Sequence, residues 1–336
     1  MKKIKVSSLP FKDVLNDIAE ALEISVSESC SEFSLELPKN IGEGSIKGIN
    51  FDTGLGILIY DCTFSLDFEI CFSVDKVHPL KYIYALEGEV NHSFERETNS
   101  HKIETYKSAI VASSEHHGHI LNFKANQKTT IVSLEIDRKV FKERMLCEMS
   151  NLNAQLKDLF LDVEASKKFY HAGHYSLRFQ ELFEALDKFE EKRLVRKMFL
   201  EGKASEIFVN QILDFEDDIK ADADKTILRK SEIEAIKKAT SFIHENIKDP
   251  ITIKMLSRKV GLNPNKLQEG FKYLYKSSIN EYLNDYRMTL AMQYLKNTEK
   301  SISEICYAIG LSSRSYFSKT FKNRYNILPS AIRKTD

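Results

Sequence analysis

Asn265, Lys266, Gln268, Glu269 and Lys272 recur at spacings that place them along the outward face of one helix, and Ser313, Arg314, Ser315, Ser318, Lys319 and Lys322 do the same on another. The amides of Gln268 and Asn265 each pair a donor with an acceptor, the pattern that grips an adenine edge, and Asn265 can equally hold a phosphate. The guanidinium of Arg314 fits guanine, and the carboxylate of Glu269 can accept from a cytosine amine. Ser313, Ser315 and Ser318 add short hydroxyls suited to either base edges or backbone. Lys266, Lys272, Lys319, Lys322 and Arg324 supply charge for phosphates, which fixes register without reading sequence.

Both sets sit in one motif written twice between Thr252 and Lys322. The first copy carries Gly261-Leu262 and Phe271-Lys272, and the second carries Gly310-Leu311 and Phe321-Lys322. In each, an apolar-periodic helix stops at a glycine, which accepts the left-handed conformation that ends a helix. A new N-cap follows: Asn263 with Pro264 at the first helical position, and Ser312 or Ser313 in the second copy. Leu267 with Phe271, and Phe317 with Phe321, turn four-residue apolar pairs inward and leave the polar sets outside. This is helix-turn-helix grammar. A connecting helix from Ser278 to Leu295 spans roughly 30 Å, close to the ~34 Å advance of one DNA turn. Two second helices so joined can enter successive major grooves.

The motifs Gly261-Leu262, Phe271-Lys272, Glu281-Tyr282-Leu283, Arg287, Ser301-Ile302-Ser303-Glu304-Ile305, Ser315-Tyr316-Phe317-Ser318-Lys319 and Pro329-Ser330 stand in the order found in AraC/XylS-type transcription regulators, whose DNA-binding domain residues 231–336 resemble. The run Leu267-Gln268-Glu269-Gly270-Phe271 further resembles the subgroup that senses ferric siderophores. The resemblance implies double-stranded DNA as partner, a small-molecule effector held in the β-domain interior, a possible homodimer, and RNA polymerase as partner if the protein is an activator. It assigns Arg287 to the fold. Glu269 departs from the basic residue the family often has there, and can instead repel phosphate and weaken the first half.

The zero formal net charge hides two opposite halves. Residues 231–336 carry 18 Lys and Arg against 10 Asp and Glu, whereas residues 1–230 carry 31 against 39. A basic module attached to an acidic one fits nucleic-acid binding at one end only. No apolar run reaches membrane-spanning length and no signal-peptide core follows Met1, so no membrane partner is expected. Five scattered cysteines do not form a disulfide framework, which points to the cytoplasm.

The fold class expected is α+β: a cupin-like jelly-roll β-domain with an N-terminal helix over 1–137, a helical dimerisation and linker segment over 138–230, and an all-α double helix-turn-helix domain over 231–336. Phe11, Val14, Leu15, Ile18 and Leu22 predict a helix over 10–23. Short alternating runs from Phe33 to Ile136 predict a sandwich or barrel. Phe179, Leu182, Phe183, Leu186 and Phe189 repeat at helical spacing. Phe208, Ile212, Phe215 and Ile219 make a seam able to pair with a second chain or with its own β-domain. Asp217 to Lys225 is the expected linker, and Ser231 with Glu234 reads as a capping box.

Other chemistry was weighed against this reading. His117 and His119 fall on one side of an expected strand, with Glu115 and His116 adjacent, and a metal can use such a pair with a third ligand. The glycine and glutamate spacing of metal-binding cupins does not follow, so no metal and no cofactor is assigned; His171 and His174 form a similar, weaker pair. Cys62 and Cys71 would face each other if the chain turned at Leu66-Asp67, giving a redox switch or simply core filler. No phosphate loop or catalytic nucleophile motif is present, so no enzyme is expected. The rival readings are a metal-dependent cupin-type enzyme and a regulator controlled by oxidation or a protein partner.

Overall fold

The structure, a computed structural model, describes residues 1–73, 77–114, 117–191, 193–220 and 228–332. The chain divides into two compact units, residues 1–225 and 226–336.

The first unit opens with β1 (Lys2–Val6) and α1 (Phe11–Leu22). It continues with β2 (Ser27–Ser29), β3 (Glu32–Glu36), β4 (Gly42–Asn50), β5 (Leu55–Phe64), β6 (Phe68–Phe72), β7 (Leu80–Glu87), β8 (Val90–Phe94), β9 (Ser100–Ile103), β10 (Lys107–Ala112), β11 (His119–Phe123) and β12 (Lys128–Ile136). Then come α2 (Arg138–Met145), α3 (Ala154–Leu161), β13 (Phe169–Tyr175), α4 (Arg178–Lys188) and α5 (Arg193–Lys220). The strands form a five-stranded sheet ordered β1-β6-β11-β8-β9 and an eight-stranded sheet ordered β13-β10-β7-β12-β5-β4-β3-β2.

The two sheets face each other as a cupin-like jelly roll. Alternation along each strand sends one set of side chains into the space between them: Phe68, Ile70 and Phe72 from β6 meet Leu58, Tyr60 and Ile83 from the large sheet. Helix α1 packs its Phe11, Val14, Leu15 and Ile18 stripe into the same core. On the outer face of the large sheet, Ile57, Tyr82, Tyr84 and Val132 pack beneath α2 to α5 in a second core.

One open alternative is decided here and two expectations are corrected. The seam residues Phe208 and Phe215 are buried, with Ile212 half-buried, against the protein's own sheet, because α5 lays that stripe over β5 and β12; Ile219 stays exposed. Cys62 and Cys71 do not face each other: Cys62 points into the core between the sheets, whereas Cys71 alternates with the inward Ile70 and Phe72 and so lies on the other side of β6. The Cys62 thiol donates to the Ser45 carbonyl at 3.4 Å, and burial pushes it up to about 12. Finally, β1 and β13 lie where the sequence reading placed no strand: β1 pairs in parallel with β6, and β13 pairs with β10.

The second unit, among the described residues, is helical: α6 (Lys230–Glu245), α7 (Ile253–Val260), α8 (Pro264–Tyr275), α9 (Ile279–Asn297), α10 (Ile302–Ala308), α11 (Arg314–Tyr325) and α12 (Pro329–Ile332). Helix α6 begins one residue before the expected box: Glu232, not Glu234, reaches back, its carboxylate accepting from the Arg229 N–H at 2.9 Å. No helix among the described residues is long and apolar enough to cross a membrane.

Candidate nucleic-acid interface

Local chemistry sets the start of each helix that frames the interface. The Thr252 hydroxyl accepts from the Met255 N–H at 3.2 Å and the Asn263 side chain from the Lys266 N–H at 2.8 Å. Ser278 with Glu281, and Ser301 with Glu304, form reciprocal capping boxes. Of the two candidate caps in the second copy it is Ser313 that serves, accepting from Tyr316 N–H at 3.2 Å. Gly261 and Gly310 both take the left-handed conformation, at φ 73° and 76°.

Helix α8 buries Leu267, Gly270, Phe271 and Leu274. A Cβ on Gly270 would come within 2.2 Å of the Ile236 side chain, so the glycine lets α8 press against α6. This leaves Asn265, Glu269 and Lys272 exposed and Gln268 half-exposed along the other face. Lys266 is not free: its ammonium pairs with Glu232 of α6 at 2.5 Å. Helix α11 buries Phe317 and Phe321 and exposes Arg314, Ser315, Lys319 and Lys322, with Ser318 half-exposed. Arg324 is exposed but forms an ion pair with Asp285 and lies 3.3 Å from the Thr289 hydroxyl. The Arg314 guanidinium donates to the Ser303 hydroxyl at 3.0 Å, which holds it against the preceding helix. The Ser313 hydroxyl accepts at its cap and keeps its own O–H to donate. Sequence reasoning missed Tyr316, which stands 48% exposed between Arg314 and Ser318; an aromatic left outside on a helix whose other aromatics face the core was the available signal.

Arg287, buried on α9, fills a structural role. Its Nη2 reaches the Ile247 carbonyl at 3.5 Å and lies under Gly310, whose added Cβ would sit 2.9 Å from it. One guanidinium thus ties the end of α6 to the turn of the second copy.

Among the described residues of the first unit, the expected histidine pairs form no metal-ligand set. His117 ring Nδ1 lies 3.1 Å from the Ser114 hydroxyl, while His119 is sealed inside the sandwich. Glu115 and His116 lie outside the described residues. His171 Nε2 and His174 Nδ1 share the Asp218 carboxylate at 3.1 and 2.5 Å, fastening β13 to α5. Among the described residues no group of three or more His, Cys, Asp or Glu is arranged to hold a metal ion.

Comparison with known proteins agrees with this geometry. Residues 43–226 match the family described as Regulatory protein PchR N-terminal domain, and residues 256–335 match Helix-turn-helix domain. The chain belongs to the AraC-type transcription regulators that carry a PchR-type N-terminal domain. It is similar to Regulatory protein SoxS of Salmonella typhimurium, 30% identical over 92 residues, covering 27% of this chain and 86% of SoxS. It is also similar to Regulatory protein PocR of the same organism, 30% identical over 99 residues, or 30% of this chain; the match spans only 33% of PocR. Among solved structures, the C-terminal domain of the two-component response regulator yesN from Fusobacterium nucleatum aligns at 31% identity over 30% of this chain and 98% of that one, with a TM-score of 0.29.

Proposed function

We propose that α8 and α11 enter successive major grooves of a promoter and that the β-domain switches this binding in response to a small molecule. The observation that carries the first part is the 19-residue connecting helix α9. It spans about 28 Å and is framed by two capped, outward-facing polar helices. Base reading is assigned to Asn265, Gln268 and Glu269 in one half-site and to Ser313, Arg314, Ser315 and Ser318 in the other. Phosphate contact is assigned to Lys272, Lys319 and Lys322. Lys266 and Arg324, already paired inside the unit, contribute less than their charge suggests.

Dimerisation is assigned to α5, through the face that flanks the expected seam. Leu194, Val195, Met198, Val209 and Leu213 are all exposed and fall within one arc of the helix. They form two short apolar patches, Leu194 to Met198 and Val209 to Leu213, that a second copy of the chain can cover. The protein is read as a cytoplasmic, non-enzymatic regulator, recruiting RNA polymerase where it activates. Ferric chelates are the first effectors to test, on the subgroup resemblance.

The test is selection of genomic DNA fragments by the full chain at two salt concentrations, with and without a small-molecule extract of cells. Expected are two half-sites about one helical turn apart, weaker binding at higher salt, and occupancy that changes with the extract. Enrichment of a single half-site would overturn the two-groove arrangement. Occupancy indifferent to every extract would overturn the switch.

A further inference from the structure

The second unit buries a cation without a counter-ion. Arg287 of α9 is 8% exposed, and among the described residues no carboxylate forms an ion pair with it. Its Nη2 reaches the Ile247 carbonyl only at 3.5 Å, and its Nε has no partner. Arginines are almost never buried this deeply unless paired, because an uncompensated charge away from water is unfavourable. Burial pulls Arg287 below the usual guanidinium range, and the group acting against that pull is the phenol of Tyr316.

Tyr316 is the third residue of α11 and stands half out of the protein. Its N–H is pinned to the Ser313 cap at 3.2 Å, which fixes where its side chain leaves the helix. The neighbouring rings turn inward: Phe317 meets Phe321 edge-on at 5.7 Å, and Tyr325 lies against Phe321 at 4.7 Å. Tyr316 joins neither contact. Among the described residues its ring meets no other ring and its hydroxyl has no hydrogen-bond partner. The first copy shows the other use of this position. There the third residue of α8 is Lys266, its N–H held by Asn263 at 2.8 Å and its ammonium drawn back onto Glu232 at 2.5 Å. The second copy puts a neutral phenol in the same place and leaves its hydroxyl unsatisfied. Helical geometry then says what the phenol faces. With ~100° between successive residues, Tyr316 lies about 60° from Lys319 and about 160° from Ser318. It stands on the flank of the assigned phosphate contact, away from the assigned base reader. A phenol at the rim of a groove meets the sugar-phosphate backbone, where its O–H can donate to a phosphate oxygen.

We propose that Tyr316 is a phosphate anchor of the second copy, a neutral hydroxyl that fixes the register of α11 on the duplex, with the unpaired charge of Arg287 behind it. The inference rests on reading α8 and α11 as groove-entering helices, and it names a positioning residue for the second of them. A phosphate brought to this rim supplies the negative charge that the folded unit does not place beside Arg287. The hydroxyl itself carries no charge, so the contact tightens binding without steepening its salt dependence. That separates Tyr316 from Lys319, whose removal flattens the slope.

The test uses the full chain and the preferred site recovered by the fragment selection. Tyr316→Phe removes one unpartnered hydroxyl and is expected to melt at the wild-type temperature. It is expected to bind on the order of tenfold more weakly, the worth of a hydrogen bond to a charged group, with the same loss on every sequence and the wild-type salt slope. The phosphates of the second half-site are then replaced one at a time by uncharged methylphosphonate. One position is expected at which the wild type weakens and Tyr316→Phe loses nothing further. A variant that binds as tightly as the wild type, a loss confined to one base pair, or methylphosphonates that weaken both proteins equally would overturn the proposal. So would a lower melting temperature, which would show the hydroxyl engaged inside the unit. The two readings separate cleanly: a selection that recovers no site sinks the DNA-binding reading and Tyr316 with it, whereas a recovered site bound equally by both proteins sinks Tyr316 alone.

Discussion

The two helix-turn-helix copies share a grammar and differ in how they are held. In the first, Gly261 turns in open space, with nothing within 4 Å of an added Cβ. In the second, Gly310 turns against the Ile247 carbonyl, 2.3 Å from where a Cβ would stand, with Arg287 beside it. Helix α8 of the first copy carries an acidic residue, Glu269, and has its Lys266 tied back to α6. The second exposes Lys319 and Lys322 and braces Arg314 against Ser303. A duplicated motif has thus been divided into a firmly seated, basic copy and a loosely turned, mixed-charge one.

The largest effect should come from the turns themselves. Gly310→Ala should cost on the order of 3 kcal/mol, combining left-handed strain with overpacking. Gly261→Ala should cost only about 1 kcal/mol, from strain alone. Urea unfolding of each full-length variant, followed by the helical circular dichroism signal, measures both, and equal losses would erase the asymmetry. Next, Arg314→Ala should weaken binding to the preferred site by about 2 kcal/mol and relax one base position in its half-site. Gln268→Ala should cost about 1 kcal/mol in the other half-site. Repeating the fragment selection with each variant shows whether the loss falls where assigned.

Salt dependence gives a finer measure. Removing Lys319 or Lys322 should lower the slope of log affinity against log salt by about 1 each. Removing Lys266 or Arg324 should lower it less, because each is already paired within the unit. Four equal slopes would show that the internal pairs open on binding. Smallest of all, Glu269→Gln should strengthen binding by about 0.5 kcal/mol at low salt, with the gain fading as salt screens it. A loss of cytosine preference at one position would instead make Glu269 a reader.

What could be read from the sequence followed the range of the interactions. The starts of α7 to α11 were legible because Thr252, Asn263, Ser278, Ser301 and Ser313 bond to residues three positions on. The strand from Leu55 to Phe64 was legible because alternation and length agreed. The strand β13 was not, since Phe169–Tyr175 is interrupted by Gly173 and lies among helices. The pairing of Lys266 with Glu232 and the separation of Cys62 from Cys71 both depend on register and packing, and no local spacing encodes them. The inward turn of Phe208 and Phe215 shows the same limit. Two apolar stripes run along α5, and only the sheet beneath decides which one is covered.

The late position of β13 also bears on how the protein is made. Its partner β10 ends at Ala112, yet β13 is complete only at Tyr175, after α2 and α3 have been synthesised. At ordinary translation rates that interval lasts roughly 3–13 seconds. Throughout it, the outer edge of β10 lacks its partner and is a template on which neighbouring chains can assemble. Slowing initiation, which spaces ribosomes along the message, should therefore raise the yield of soluble protein more than slowing elongation, which lengthens the time the edge stays open.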